Sequence, residues 1–125
     1  MLSDSPAAAI LPAMDMARAK DFYQNKLGLK LTPMPMEDPM IFEAGKGTTI
    51  VVYHRAEGTK AEHTAAGFLV DDVAATIKDL EAKGVVFEDY DMPGLKTVDH
   101  IMDYGQGKSA WFKDTEGNIL AINQM

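Results

Sequence analysis

The chain contains no cysteine, which excludes disulfides, thiolate nucleophiles and metal or iron–sulfur centres held by cysteine. Aromatic residues make up only 8% of the 125 residues, and there is one tryptophan. Basic residues are also few, because 12 lysines and arginines stand against 19 acidic residues and give a net charge of -7. That charge opposes the phosphate attraction on which nucleic-acid binding depends, and it disfavours a polybasic membrane-surface protein. We therefore expect no nucleic-acid partner and no membrane partner.

A long apolar run is missing as well. The apolar stretch from Ala7 to Met14 is interrupted by Pro12 and is far shorter than a membrane span. Asp4 stands before it in place of the basic residues that are typical of a signal peptide. Together with the absence of cysteine, these features predict a cytoplasmic protein.

The residues that are present form an ordinary globular composition, with 46% hydrophobic and 25% charged residues. Two helix patterns repeat along this one-domain length. Asp15 and Asp72, which are 57 residues apart, each precede an apolar stripe at helical spacing and can cap a helix. Gly28 and Gly84, which are 56 residues apart, can end those helices. The nearly equal spacings indicate an internal duplication.

Short strands are predicted around each helix, separated by turns rich in glycine and proline. In the first half they cover Ala8–Met14, Leu29–Met36, Met40–Ala44 and Thr48–His54. In the second half they cover Ala65–Val70, Val85–Tyr90, Val98–Tyr104, Ser109–Phe112 and Asn118–Asn123. The order predicts an α+β fold of two tandem βαβββ modules with the helices on one face of a mainly antiparallel sheet. We expect a single domain over residues 1–125, with module one at about 7–54, a linker at 55–62 and module two at about 63–125.

Two motifs carry a resemblance to a known family. One is the helical pattern D-x-x-x-A-x-x-F-Y of Asp15, Ala19, Phe22 and Tyr23, and the other is the sequence W-F-K-D-x-E-G-N over residues 111–118. With the repeated modules, they resemble the vicinal oxygen chelate superfamily, which includes glyoxalases, bleomycin-resistance proteins and extradiol dioxygenases. The resemblance implies that the two modules form a curved, cup-shaped sheet with helices outside. It does not fix a function, because this fold carries metal enzymes and metal-free drug binders alike.

The resemblance also implies where a metal would be held. Enzymes of the superfamily typically hold a divalent ion with His, Glu or Gln from the first and last strands of each module. The corresponding positions here are Ala8, Val51, Ala65 and Ala121. Their side chains lack the carboxylate, imidazole or carbonyl donors that such an ion needs. We therefore expect no metal and no other cofactor.

Strand alternation predicts which side chains line the cup. The candidates are methionines, aromatics and two histidines, although each one singly is more often a core residue. They are Met34, Met36, Phe42, Tyr53, His63, His100, Met102, Tyr104 and Trp111. The predicted function is metal-free binding of an apolar or aromatic small organic molecule.

Two other functions stay open from the sequence. The first is a lyase or isomerase that uses His100 as a general base beside Asp99 and Asp103, or a displaced metal held by His63, His100 and an acidic residue. The second is an interaction protein whose exposed sheet face is only a dimer surface. A homodimer is expected by resemblance, and the exposed edges of a small sheet favour it too.

Overall fold

Two four-stranded sheets, each with a helix packed against it, form the structure. The computed structural model describes all residues, Met1–Met125. In chain order its strands and helices are β1 (Ala8–Ala13), α1 (Met16–Asp21), β2 (Lys30–Leu31), β3 (Met40–Glu43), β4 (Thr49–His54), β5 (Thr64–Leu69), α2 (Val73–Ala82), β6 (Asp91–Met92), β7 (Leu95–Lys96), β8 (Met102–Asp103), β9 (Lys108–Lys113) and β10 (Ile119–Gln124). No helix is long and apolar enough to cross a membrane.

The two sheets have the same strand order. It is β1-β4-β3-β2 in the first and β5-β10-β9-β8 in the second, while β6 and β7 form a separate hairpin. In each sheet the first strand pairs in parallel with the last, and the other pairings are antiparallel. This matching order confirms the predicted α+β class and the two βαβββ modules.

The chain packs as two compact units. The first contains Met1–Lys60 together with Thr115–Asn118, and the second contains Ala61–Asp114 together with Ile119–Met125. The turn between β9 and β10 therefore belongs to the first unit, although both strands belong to the second.

Both helices begin at the predicted aspartates. Asp15 Oδ1 accepts a hydrogen bond from the backbone N–H of Arg18 at 3.0 Å, and Asp72 Oδ1 accepts one from that of Ala75 at 3.1 Å. Each carboxylate thus satisfies a backbone N–H that has no partner within the first helical turn. The predicted N-caps are confirmed.

The first helix does not continue regularly to Gly28. Residues Phe22–Lys26 form a π-helical turn, in which the N–H of Leu27 donates to the carbonyl of Phe22 at 3.0 Å. The prediction of one regular helix is wrong here. Phe22 and Tyr23 are adjacent and both buried, and the wider turn allows neighbouring aromatic residues to face the same core.

Each core lies between the sheet and its helix. In the first unit Tyr23 stacks on Phe42 with ring centroids 5.5 Å apart. In the second unit Phe87 contacts Phe112 edge-on at 5.4 Å. Because alternate strand residues face the helix, the remaining residues of each strand lie on the opposite face of the sheet, which we call the helix-free face.

Three predicted strands are much shorter than expected. Leu29–Met36 is reduced to Lys30–Leu31, since Pro33 and Pro35 have no N–H to donate to a neighbouring strand. Val85–Tyr90 contributes only an isolated bridge from Phe87 to Phe112.

The third, Val98–Tyr104, is interrupted by a tight turn. Asp99 and His100 have φ angles of 52° and 71°, and Val98 and Ile101 exchange backbone hydrogen bonds of 2.8 and 3.0 Å across them. Positive φ at both central residues is the geometry of a two-residue hairpin turn. Only Met102–Asp103 remains as a strand, so the assumed alternation from Val98 to Tyr104 is wrong.

The turn at residues 115–118 is anchored by a buried carboxylate. Glu116, whose side chain is 0% exposed, pairs with the guanidinium of Arg18 at 2.7 Å. Its Oε1 also accepts hydrogen bonds from the backbone N–H groups of Met14 at 2.9 Å and Asp15 at 3.0 Å. Burial by itself raises the pKa of Glu116, but the hydrogen bonds from Arg18, Asp15 and Thr115 outweigh it and lower the pKa from 4.5 to about 2. The motif at residues 111–118 therefore supplies the buried carboxylate that holds the start of α1.

Candidate functional site

The helix-free face of the second sheet has an apolar centre. Trp111 pairs with Ala121 across β9 and β10, and Ala121 pairs with Gly67 across β10 and β5. Side chains that are directly opposite in a sheet lie on the same face. Two small residues therefore lie on the β10 and β5 side of the only tryptophan, which is partly exposed.

Two neighbours orient the Trp111 ring. Its Nε1–H donates to Thr64 Oγ1 at 3.2 Å, and Tyr90 contacts it edge-on with centroids 5.6 Å apart. Burial raises the pKa of Tyr90, with a further contribution from Glu88 that Lys113 opposes. Tyr90 therefore stays neutral at physiological pH and can act as a hydrogen-bond donor beside the ring.

A polar pair adjoins this apolar centre. Ser109 and Asn123 pair across β9 and β10, and the Ser109 hydroxyl donates to Asn123 Oδ1 at 2.7 Å. The Asn123 side chain makes no other hydrogen bond, so its Nδ2 has no acceptor in the chain. A Cβ built on Gly67 would lie 3.0 Å from that nitrogen, so glycine leaves room for the amide. The result is an amide donor that adjoins the apolar centre of this face.

Sequence reasoning did not select Asn123 as a binding residue. The available signal was an amide side chain that follows four apolar residues of the strand, Ile119–Ile122, where a buried or half-buried amide needs a hydrogen-bond partner.

Three other predicted residues lie in this unit. Met102 pairs with Ser109, which puts it on the helix-free face. Tyr104 is 47% exposed. Its side chain lies against Gly107, where a Cβ would come within 2.9 Å of the Tyr104 hydroxyl. His63 is exposed just before β5, with Nδ1 3.2 Å from the carbonyl oxygen of Thr64.

His100 lies elsewhere. Its Nδ1 is 3.0 Å from Asp89 Oδ1, its Nε2 is 3.6 Å from Glu81 of α2, and its ring centroid is 6.2 Å from that of the core residue Phe87. The predicted partners Asp99 and Asp103 are thus replaced by two carboxylates on the helix side of the sheet. Placing His100 in the lining of the cup is wrong, because the turn at residues 99–100 breaks the assumed alternation.

In the first unit, Tyr53 is half-buried on the helix-free face of β4 together with Val51. Phe42 is 0% exposed and stacks on Tyr23 in the core. Its assignment to the lining is wrong, because β3 presents Ile41 to the helix-free face, opposite Val51.

Met34 and Met36 lie in a different place, a cavity of about 440 Å³ in the first unit. It is bounded by α1 on one side and by the chain from Leu31 to Met40 on the other. These two predicted residues are therefore near each other but not on the helix-free face of a strand.

The matching family model, the Glyoxalase/Bleomycin resistance protein/Dioxygenase superfamily, covers residues 6–122. The chain belongs to this superfamily. No curated protein gives a significant match to the sequence.

Solved structures with the same fold include proteins of different kinds. A glyoxalase/bleomycin resistance protein from Streptomyces sp. CB03234 is 26% identical, with a TM-score of 0.68 over 96% of this chain and 100% of that chain. TnmS3, an antibiotic binding protein from Streptomyces sp. CB03234, is 23% identical, with a TM-score of 0.69 over 97% of each chain. Lactoylglutathione lyase from Agrobacterium tumefaciens is 18% identical, with a TM-score of 0.70 over 97% of this chain and 93% of that chain.

The residues at the family's metal positions do not fit a metal. Ala8 and Val51 lie on the helix-free face of the first sheet and Ala121 on that of the second, while Ala65 lies at the register shift of β5 between Thr64 and Ala66. All four carry side chains without a donor atom. No group of three or more histidine, aspartate or glutamate residues is arranged to hold an ion.

Proposed function

We propose that this protein binds a small apolar or aromatic molecule, without a metal, on the helix-free face of the second sheet. The observation that carries the proposal is the combination of a partly exposed Trp111 ring with the Asn123 amide, whose Nδ2 lacks an acceptor. A flat ligand can stack on the indole and accept a hydrogen bond from Asn123. Apolar walls with a few oriented polar groups are typical of small-molecule sites.

Two kinds of support favour binding over catalysis. The four positions where the family's enzymes place metal donors are apolar, and His100, the candidate general base, faces Asp89 and Glu81 on the helix side. TnmS3, which has the same fold, is an antibiotic binding protein.

The single tryptophan supplies the test. We expect titration with bleomycin and a panel of flat aromatic antibiotics to change Trp111 emission saturably for at least one compound. Asn123→Ala should weaken that compound's binding about fivefold, since one hydrogen bond contributes about 1 kcal/mol. Asn25→Ala is the matched control, because Asn25 bonds only to the exposed Asp21 carboxylate.

Two results would contradict the proposal. One is no saturable change with any compound of the panel. The other is binding that Asn123→Ala leaves unchanged while the variant stays folded by circular dichroism.

We also propose that the protein forms a homodimer. The edge strands β1 and β5 expose large apolar side chains, with Ile10 at 63% and Leu69 at 75% exposure. Apolar edge strands favour pairing with another chain. Light scattering should give twice the 13.7 kDa chain mass, and a monomer at working concentration would refute the dimer. The cytoplasmic location stays a prediction from the sequence.

A further inference from the structure

The cavity of the first unit is separate from the site proposed above. Its volume of about 440 Å³ is within the range of small-molecule sites, roughly 300–1,000 Å³. It lies wholly within residues 16–40, between α1 and the segment that follows β2.

Methionine is the commonest residue in its wall. Four methionines contribute: Met16 from α1, Met34 and Met36 from the segment after β2, and Met40 from β3. Met40 is 7% exposed, whereas Met34 and Met36 are 37% and 51% exposed, so the methionines extend from the core to the surface. Unbranched thioether side chains adapt to apolar groups of different shapes.

Two opposite charges border this apolar wall. Lys20 of α1 and Glu37 both line the cavity. Neither side chain makes a hydrogen bond or an ion pair, with each other or with any other group of the chain. Elsewhere in this unit the exposed ions Lys30 and Glu43 do pair, at 3.9 Å. The cavity therefore offers one cation and one anion that do not pair with each other.

We propose that this cavity binds a small zwitterionic amphiphile. The apolar body of the ligand lies on the methionines, its carboxylate faces Lys20, and its ammonium faces Glu37. A short apolar peptide with free ends has this chemistry. A simple organic anion fits less well, because the chain's net charge of -7 repels it before it reaches Lys20.

The test uses the dipeptide Leu-Phe and two blocked forms of it in isothermal titration calorimetry. We expect the free dipeptide to bind, and both N-acetylation and C-amidation to weaken its binding. Lys20→Gln should weaken the free dipeptide but have little effect on the C-terminal amide. Glu37→Gln should weaken the free dipeptide but have little effect on the N-acetyl form. Because both residues are exposed, each effect should be about two- to fivefold in Kd.

Matched controls separate these contacts from a general change in charge. Lys26→Gln and Glu62→Gln alter the net charge equally but lie outside the cavity, and they should leave the affinity unchanged. The proposal is overturned if the free dipeptide gives no saturable heat, or if Lys20→Gln and Glu37→Gln match the controls. Equal affinity for the free dipeptide and both blocked forms would indicate that only the apolar part is recognised, and it would also overturn the proposal.

Discussion

Replacing Glu116 by glutamine should destabilise the protein in a way that depends strongly on pH. The side chain is fully buried and is held by Arg18 at 2.7 Å and by two backbone N–H groups at 2.9 and 3.0 Å. Glutamine keeps an oxygen for the backbone donors, but it loses the charge and presents an amide to the guanidinium. The cost arises at the buried end of the pair, because the Arg18 side chain is 52% exposed whereas the Glu116 side chain is not exposed.

The magnitude follows from the lowered pKa. A shift from 4.5 to about 2 corresponds to about 3 kcal/mol, at 1.36 kcal/mol for each pH unit. The pKa is lower in the folded state than in the unfolded state. The stabilisation is therefore complete above pH 4.5 and is lost as the pH falls toward 2. We expect the Glu116→Gln variant to lose about 3 kcal/mol at neutral pH and to approach the wild type near pH 2.

Urea denaturation at a series of pH values measures this effect directly. Glu43→Gln serves as the control, because Glu43 is 51% exposed and pairs with Lys30 at 3.9 Å. Such a surface pair contributes about 0–1 kcal/mol. If the difference between wild type and Glu116→Gln were the same at pH 7 and near pH 2, the charge-based explanation would be refuted.

Three further outcomes are expected. Asp72→Ala should lower the free energy of unfolding by about 1 kcal/mol in urea denaturation, since it removes the acceptor for the Ala75 N–H. Asp79→Ala within the same helix should lower it less, and equal losses would contradict the capping role. Phe42→Ala should cost about 3–5 kcal/mol because it empties a fully buried site, while Ile10→Ala at a 63% exposed site should cost far less in the same assay. His100→Asn, which keeps a residue that tolerates the φ of 71°, should leave the Trp111 fluorescence titration unchanged. Weaker ligand binding by that folded variant would show that His100 contributes to the site after all.

The duplication shows how far local pattern could determine the fold. Asp15 and Asp72 act as caps through contacts only three residues away, which a sequence displays directly. The burial of Leu11, Val52 and Ile122 follows from strand alternation in the same way. Helix capping and strand alternation were therefore enough to predict the two modules. The apolar character of Ala8, Val51, Ala65 and Ala121 follows from residue identity alone.

Errors arose where a backbone irregularity changed the alternation. The turn at Asp99 and His100 moved a histidine to the helix side, and two hydrogen bonds between Val98 and Ile101 close that turn. The two prolines after β2 ended the strand early, so Met34 entered a cavity beside α1. One displaced residue reverses the face of those that follow it, and a single sequence does not show such displacements.

The sequence by itself determined the repeated modules, the absence of cysteine chemistry, the negative charge and the lack of donor atoms at the family's metal positions. These properties depend on residue identity and on spacings within one helix or strand. The tertiary structure alone decided that Asn123 would lie beside Trp111 with an unused donor, that Glu116 would anchor the start of α1, and that Lys20 and Glu37 would border one cavity. Those arrangements join residues from different elements, and their geometry depends on how the strands and helices of each unit pack.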